Sequence, residues 1–354
     1  MRPTNDRAGK WKVLALAALL VPALSACGLG KPGGERTAID PPPAAIEQAM
    51  LQEAEGLASS ASGEMITVYL LDRNEYLAPM SLRADNAPSS PKSAAEKAIA
   101  WMTANKQLAD QLPPGFVAVL PEGTKVSSVT ENQEEQTISV DFVAPFPSIP
   151  ASRERKAIEA LVWTLTEIPG IDKVKLSVGG KAIRSLPASG MPVDPVLTRG
   201  LGINVEKAKD VQPTYAMGVT LYFSSRTSSG EGYFVPVTRL INRQADPVQA
   251  ALEQLIAGPL QSGVLHSPID SGVTIERLTQ MADTVNVSLQ DEERLSDAPV
   301  PSEMMEALVL TLTEAAGLPQ VQVVMNGDDS FTDSELRAYD RPVTRPAYVN
   351  AFAG

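Results

Sequence analysis

The stretch LVWTLTEIPGIDKVKLSVGG (Leu161–Gly180) returns 147 residues later as LVLTLTEAAGLPQVQVVMNG (Leu308–Gly327). Both copies share the block Leu-Val-x-Thr-Leu-Thr-Glu and end at a glycine. Two shorter matches precede them in the same order: ITVYL (Ile66–Leu70) with VTLYF (Val219–Phe223), and TISVDF (Thr137–Phe142) with TVNVSL (Thr284–Leu289). Three ordered matches at nearly constant spacing indicate a tandem duplication of one structural unit.

Each copy has the pattern of a small α/β module. β-branched and aromatic residues predict a first strand in each, and alternating apolar residues over 137–142 and 284–289 give each sheet one buried face. Ser93 and Asp246 are typical N-caps and predict a first helix over 94–105 in one copy and 247–257 in the other. Residues 153–168 and 302–316 have the pattern of amphipathic second helices. The predicted order is β-(β)-α-β-β-α-β. We therefore expect an α+β fold of two tandem modules, each a sheet with two helices packed on one face.

The repeat divides the chain into six parts. We expect a signal peptide, a tether, a first domain, an interdomain linker, a second domain and a C-terminal tail: 1–26, 27–64, 65–190, 191–214, 215–330 and 331–354. The linker is predicted because Met191–Thr214 is rich in Pro and Gly. Since each copy has its own strands, helices and apolar stripe, we expect each to fold independently.

The N-terminus predicts export and a lipid anchor. Four basic residues precede Val13–Leu24, an apolar run that is too short for an ordinary membrane span. Leu24-Ser25-Ala26-Cys27 then resembles the lipobox, where cleavage before the cysteine follows transfer of a diacylglyceryl group to its thiol. Cys27 is the only cysteine, so no intrachain disulfide is possible. We expect a lipoprotein that carries fatty acids such as palmitate on Cys27 and lies on the extracytoplasmic face of the membrane.

The charge of the chain restricts its partners. The formal net charge is −12, and because residues 1–26 carry four basic and one acidic side chain, the remainder carries −15. Nucleic-acid binding needs clustered Lys and Arg, so a nucleic-acid partner is not expected.

No motif predicts catalysis, a cofactor or a metal. His266 is the only histidine and lies in a predicted loop, where a lone imidazole is usually an ordinary surface group. Residues 28–33 fit G-x-G-x-x-G, but no strand precedes them. Residues 89–92 fit S-x-x-K without a K-T-G partner. We expect no catalytic residue, and we interpret the repeated Thr-Leu-Thr-Glu blocks as shared fold rather than shared active site.

An acidic segment follows the last predicted strand. Asp328, Asp329, Asp333 and Glu335 could bind calcium, but their spacing does not fit an EF-hand loop. A solvated acidic terminus is the interpretation that the spacing favours.

The second copy resembles a GerMN domain, the repeat of the GerM family of sporulation and spore-germination lipoproteins. The resemblance rests on VTLYF, on YFVPVTRLI, on a helix that ends at Gly258-Pro259, on VNVSL, and on LTLTEAAGLPQVQVVMNG. The first copy lacks the Gly-Pro and the Pro-Val-Thr-Arg segment but keeps ISVDF and WTLTEIPGIDKVKLSVGG. The resemblance covers most of residues 66–327, and it implies a fold like the ring-building modules of the sporulation machinery.

The resemblance also implies a function. A GerM-like lipoprotein would sit on the outer forespore membrane, face the intermembrane space, and bind or stabilise a membrane-spanning complex between mother cell and forespore. Its partners would be other sporulation envelope proteins. The alternative is a protein that binds peptidoglycan or modifies the spore cortex.

Overall fold

The computed structural model describes residues 65–83, 93–294 and 298–351. The predicted signal peptide, Cys27 and the tether lie outside these ranges, as do the S-x-x-K residues 89–92. Within the described ranges no helix combines the length and the apolar character that crossing a bilayer requires.

The first module contains a hairpin, three helices and a small sheet. Its elements are β1 (Met65–Leu71), β2 (Leu77–Arg83), α1 (Ala94–Met102), α2 (Lys106–Ala109), β3 (Val126–Asn132), β4 (Thr137–Phe142), α3 (Ala151–Leu165), β5 (Lys173–Val178) and β6 (Lys181–Ala182). Ser93 caps α1 in a reciprocal capping box with Glu96, as its sequence position predicts. The predicted helix 94–105 is wrong at its end, because Thr103 is already extended and Asn105 caps the separate helix α2.

A short strand, β7 (Glu206–Lys207), precedes the second module. That module contains β8 (Ala216–Arg226), β9 (Gly232–Asn242), α4 (Pro247–Ile256), β10 (Val273–Met281), β11 (Thr284–Asp291), α5 (Ser302–Ala316) and β12 (Gln320–Met325). A last short strand, β13 (Val343–Thr344), follows it. Asp246 caps α4 with Pro247 at the first helical position, and Gly317 ends α5 in the left-handed conformation.

The two modules have the same topology, which confirms the duplication and the α+β class. In each, a helix connects two parallel strands, β4 to β5 through α3 and β11 to β12 through α5. An antiparallel strand flanks each parallel pair on either side, so the sheet orders are β3-β4-β5-β6 and β10-β11-β12-β13. The hairpins β1–β2 and β8–β9 do not join these sheets. The second strand, which stands in brackets in the predicted order, is present in the first copy as β2.

Helix α5 is more buried than an amphipathic helix of a two-layer module. Its residues from Met304 to Thr313 are buried with the single exception of Glu306. The reason is that the sheet covers one side while strand β8 covers another, and Val349 from the C-terminal end packs against Leu310. The expectation of one apolar stripe was therefore incomplete, since a helix covered on several sides is apolar nearly all round.

Residues 191–214 are built into the fold rather than spacing the modules apart. Leu197 pairs with Val174 on β5, and β7 pairs in parallel with β9. Ile203 is fully buried in the core that both modules share. Pro and Gly content predicted a simple linker because composition reports local backbone preference and not tertiary packing. The domain boundaries themselves stay predictions.

Residues 331–351 are likewise packed. Val343 pairs with Val321 on β12, and Phe331, Tyr339 and Val349 are buried. Residues 331–351 therefore do not form the tail that the sequence predicts. The boundary at residue 331 stays a prediction.

Candidate functional site

A second repeated motif lies in the two segments that sequence reasoning assigned to a linker and a tail. LTRGLGIN (Leu197–Asn204) and VTRPAYVN (Val343–Asn350) share a Thr-Arg pair and an asparagine at an offset of 146. Leu197 pairs with Val174 and Val343 with Val321, so the two segments occupy equivalent places. The same offset search that found the long repeat could have found this shorter one.

Asn204 joins the two hairpins. Its amide Oδ1 accepts a hydrogen bond from Leu77 N–H at 2.9 Å, and its Nδ2 donates to Leu77 O at 2.7 Å. The same Nδ2 donates to Pro236 O of the second module at 2.8 Å. Beside it, Thr238 N–H donates to Ile203 O at 2.8 Å. A segment that leaves the first module is therefore bonded to β9 of the second.

Asn350 makes the equivalent set of bonds with the roles of the two modules exchanged. Its Oδ1 accepts from Phe234 N–H at 2.8 Å, and its Nδ2 donates to Phe234 O at 2.8 Å and to Pro79 O at 2.7 Å. Ser81 Oγ donates to Val349 O at 2.9 Å. Each module thus gives its terminal segment to the hairpin of the other. We call this reciprocal arrangement, built on Asn204 and Asn350, the asparagine lock.

An ionic cluster continues the contact between modules. Tyr69 N–H on β1 donates to Thr164 Oγ1 at 2.9 Å, and its hydroxyl donates to Glu167 at 2.9 Å. Arg199 bridges the modules, because its guanidinium binds Glu167 at 2.6 Å and Glu314 at 2.9 Å.

The second module repeats the contacts that Tyr69 and Thr164 make in the first. Tyr222 N–H donates to Thr311 Oγ1 at 3.1 Å, and Arg345 donates to the Tyr222 hydroxyl at 2.7 Å. Arg345 also lies 3.5 Å from Glu314 and stacks over the Tyr222 ring at 5.1 Å. The repeated threonines and glutamates therefore hold hairpins and arginines in place, which agrees with their interpretation as shared fold.

The surroundings fix the charge states of this cluster. Burial raises the pKa of Tyr69 well above its usual range, and the Glu167 carboxylate adds to the rise. Burial is also the main cause that raises the pKa of Tyr222 to about 12. Burial opposes the charge of Glu167, but Arg199 and Arg345 outweigh it and lower the pKa of that carboxyl. Neutral phenols and arginine-paired carboxylates are suited to holding structure rather than to moving protons at neutral pH.

An apolar groove of about 720 Å³ opens in the first module. We call it the first-module groove, and its walls come from α3, from the ends of β4 and β5, and from the loop after β6. Its apolar lining includes Leu120, Phe142, Phe146, Ile149, Ile158, Leu161, Val178, Ile183 and Leu186. Its charged lining is Glu154, Lys181 and Arg184. A groove of this size and lining fits a bulky apolar group.

The residues considered for catalysis and metal binding are not brought together. His266 is exposed, and its backbone pairs with Ser224 through bonds of 2.8 and 3.1 Å. Among the described residues, no group of three or more His, Cys, Asp or Glu side chains has the geometry of a metal site.

The acidic segment 328–335 is not wholly solvated. Asp333 is fully buried and accepts hydrogen bonds from the Tyr339 hydroxyl at 3.0 Å and from Glu335 N–H and Arg337 N–H at 2.9 Å. The expectation of a solvated terminus is wrong for Asp333, because the loop folds back and uses its carboxylate as an internal cap.

Comparison with known proteins finds the same two modules. The family model described as "Germane: Sporulation and spore germination" matches residues 67–184 and 220–330. The spore germination protein GerM of Bacillus subtilis (strain 168) is 30% identical over 297 residues, which cover 82% of this chain and 79% of that protein. The solved tandem GerMN domains of the sporulation protein GerM from Bacillus subtilis superpose with a TM-score of 0.72 at 29% identity, covering 81% of this chain and 99% of that one.

Proposed function

The chain belongs to the GerM family of sporulation and spore germination proteins, and from this premise we propose that it acts without catalysis, as a lipid-anchored scaffold that binds and stabilises an envelope-spanning complex. The complex would connect mother cell and forespore. Its partners would be other envelope proteins of the sporulating cell.

The asparagine lock is the observation that carries this proposal. The two modules exchange terminal segments through hydrogen bonds that are buried at Asn204 and half-buried at Asn350, and an arginine bridges their glutamates. A body held in this way presents its outer surfaces in a fixed geometry, and preorganised surfaces lose less conformational entropy on binding. The repeated polar residues with shifted pKa values serve this connection, which supports a binding role over a chemical one.

The proposed location depends on Cys27. A diacylglyceryl group on this residue would hold the chain at the outer forespore membrane, facing the intermembrane space. One acyl chain gives only marginal membrane binding, whereas several chains on one residue give a stable anchor.

The experiment compares three forms of the protein in a spore-forming host that lacks its own copy. Wild type, Cys27→Ala and His266→Ala are scored for heat-resistant spores and for membrane proteins recovered after cross-linking. We expect His266→Ala to match wild type, and Cys27→Ala to leave the precursor uncleaved and to lose the membrane partners. Loss of function in a folded His266→Ala protein would sink the non-catalytic proposal and restore an enzymatic role.

Binding to peptidoglycan is the alternative that a sedimentation assay distinguishes from binding to envelope proteins. Purified peptidoglycan is sedimented with the purified wild-type protein, and the pellet is assayed for the chain. We expect the chain to remain in the supernatant. Sedimentation with peptidoglycan, together with no cross-linked envelope protein, would favour the cell-wall alternative instead.

A further inference from the structure

One wall of the first-module groove has an aromatic counterpart in the second module. Val193 N–H donates to Arg184 O at 2.9 Å, and Tyr339 N–H donates to Phe331 O at 3.1 Å in the equivalent loop. A second matched pair of backbone bonds closes the same two loops: Leu186 N–H to Met191 O, and Asp333 N–H to Arg337 O. Arg184 therefore stands where the second module has Phe331, and Val193 stands where it has Tyr339.

Among the described residues, the exchange of these two side chains gives the second module an aromatic pair at the position where the first module has an open groove wall. Phe331 and Tyr339 stack with centroids 5.1 Å apart and planes 7° apart, and both are buried. In the first module, Arg184 is exposed at the groove wall, and Val193, which is buried, has no ring to stack. The fold thus leaves room in the first module for an aromatic side chain that the second module supplies from its own chain.

The rim of the groove is positively charged. Lys181 and Arg184 are exposed, and neither has a carboxylate partner among the residues that the structure describes. The remaining charged group in the lining, Glu154, accepts hydrogen bonds from Ala188 N–H at 2.8 Å and from Ser189 N–H at 2.7 Å. Burial opposes the charge of Glu154, but a hydrogen bond from the Ser189 side chain and the two backbone bonds outweigh it and lower the pKa of this carboxyl. The Glu154 carboxylate is therefore already bound by the groove wall.

The second module has the opposite charge at the matched rim position. Gly180 and Gly327 align in the long repeat, so Lys181 corresponds to Asp328. In the second module, the segment that brings the aromatic plug is therefore acidic, whereas the open groove of the first module has a basic rim. An acidic segment would complement this rim.

We propose that the first-module groove binds an acidic segment of a partner protein and buries an aromatic side chain of that segment, in the place that Phe331 and Tyr339 fill in the second module. This inference rests on the proposed binding function and names the chemistry of the partner. The basic rim aligns the segment, and the apolar walls hold its ring.

The test uses the purified lipidated full-length protein in detergent and a fluorescent peptide that copies residues 328–340, which carry both the acidic and the aromatic side chains. A control peptide has alanine in place of the Phe and the Tyr. We expect saturable binding of the first peptide by fluorescence anisotropy and at least tenfold weaker binding of the second. Equal binding of the two peptides would overturn the proposal, because the ring would then contribute nothing.

Variants of the protein locate the binding. Arg184→Glu should weaken peptide binding about tenfold, while Arg243→Glu, an exposed charge reversal outside the groove, should leave it unchanged. The plugged variant Arg184→Phe places a ring where the second module has Phe331 and should abolish binding with no loss of thermal stability, because Arg184 is exposed. Full binding by the plugged variant would refute the groove as the site.

Other occupants give distinct results. If a fluorescent fatty acid binds the groove and the peptide does not, the occupant is an acyl chain and the proposal fails. If the protein instead dimerises in a way that the plugged variant prevents, the occupant is a second copy, and the proposal also fails. Either result would leave the scaffold function untouched, because that function is judged by Cys27→Ala and His266→Ala in sporulating cells.

Discussion

Replacing Asn204 with alanine should be among the most destabilising polar substitutions in this protein. The change removes three buried hydrogen bonds and leaves Leu77 N–H, Leu77 O and Pro236 O without partners. Each buried unsatisfied group costs about 1–3 kcal/mol. Alanine at the left-handed φ of 47° costs about 1–2 kcal/mol more. We expect a loss of at least about 4 kcal/mol, the sum of the lowest of these values, which is a large part of a stability of about 5–15 kcal/mol.

The chain offers a matched control at Asn326. This residue also has a left-handed φ, of 53°, and makes the same paired bonds to one residue, since Asp291 N–H donates to its Oδ1 at 2.7 Å and its Nδ2 donates to Asp291 O at 3.0 Å. Because Asn326 is exposed, water replaces the lost bonds, and Asn326→Ala should cost about 1–2 kcal/mol. Urea unfolding followed by far-UV circular dichroism measures both variants. Equal losses would refute the assignment of Asn204 as a lock between modules.

Three further predictions concern the core and the charge states. Burial raises the pKa of Tyr222 to about 12, above the unfolded value of about 10. The contribution of this shift to the free energy of unfolding should therefore be fully present below pH 10 and be lost as the pH rises towards 12. The part of the absorbance at 295 nm that Tyr222→Phe removes should therefore rise together with the change in circular dichroism, and ionisation of this phenol near pH 10 in a folded protein would contradict this. Leu312→Asp places a carboxylate at a fully buried position and should unfold both modules together in circular dichroism, so a normal spectrum would mean that α5 is misplaced. Phe331→Ala should cost about 3–5 kcal/mol, whereas Arg184→Ala at the matched exposed position should change the free energy of unfolding by less than about 0.5 kcal/mol, and comparable losses in urea would remove the distinction between plug and groove.

The elements that depend on local pattern could be predicted from the sequence. The alternation in β4 and β11, the cap at Asp246 and the helix 302–316 all agree with the structure, because period, capping chemistry and glycine placement act within one segment. The repeat itself predicted the fold class, since two copies of one pattern must solve the same packing problem.

The lock between modules could not be predicted from the same signals. Asn204 and Asn350 act through bonds to residues that are 127 and 271 positions away in the chain, Leu77 and Pro79. Their segments contain Pro and Gly, and asparagine is itself a turn residue, so local composition favours a linker and a tail. The offset of 146 that the two segments share is the one sequence signal for the lock. That signal can be interpreted only when the positions of both hairpins are known. The groove could not be predicted for a similar reason, because it depends on how two loops of different sequence, which differ in length by one residue, place Arg184 and Val193 where the second module has Phe331 and Tyr339.

The bonds between the modules replace the expectation that each copy folds independently with the claim that the modules form one interlocked body. Coincidence of two unfolding curves tests this central claim most directly. The three tryptophans are Trp11, in the predicted signal peptide, and Trp101 and Trp163, both in the first module. In a chain that begins at residue 28, tryptophan fluorescence therefore reports the first module alone, whereas far-UV circular dichroism reports both. We predict one urea transition with the same midpoint by both probes, and an equal shift of both midpoints in Asn350→Ala, whose mutated residue lies outside the first module. Two separated transitions, or a fluorescence midpoint that Asn350→Ala leaves in place, would contradict the claim.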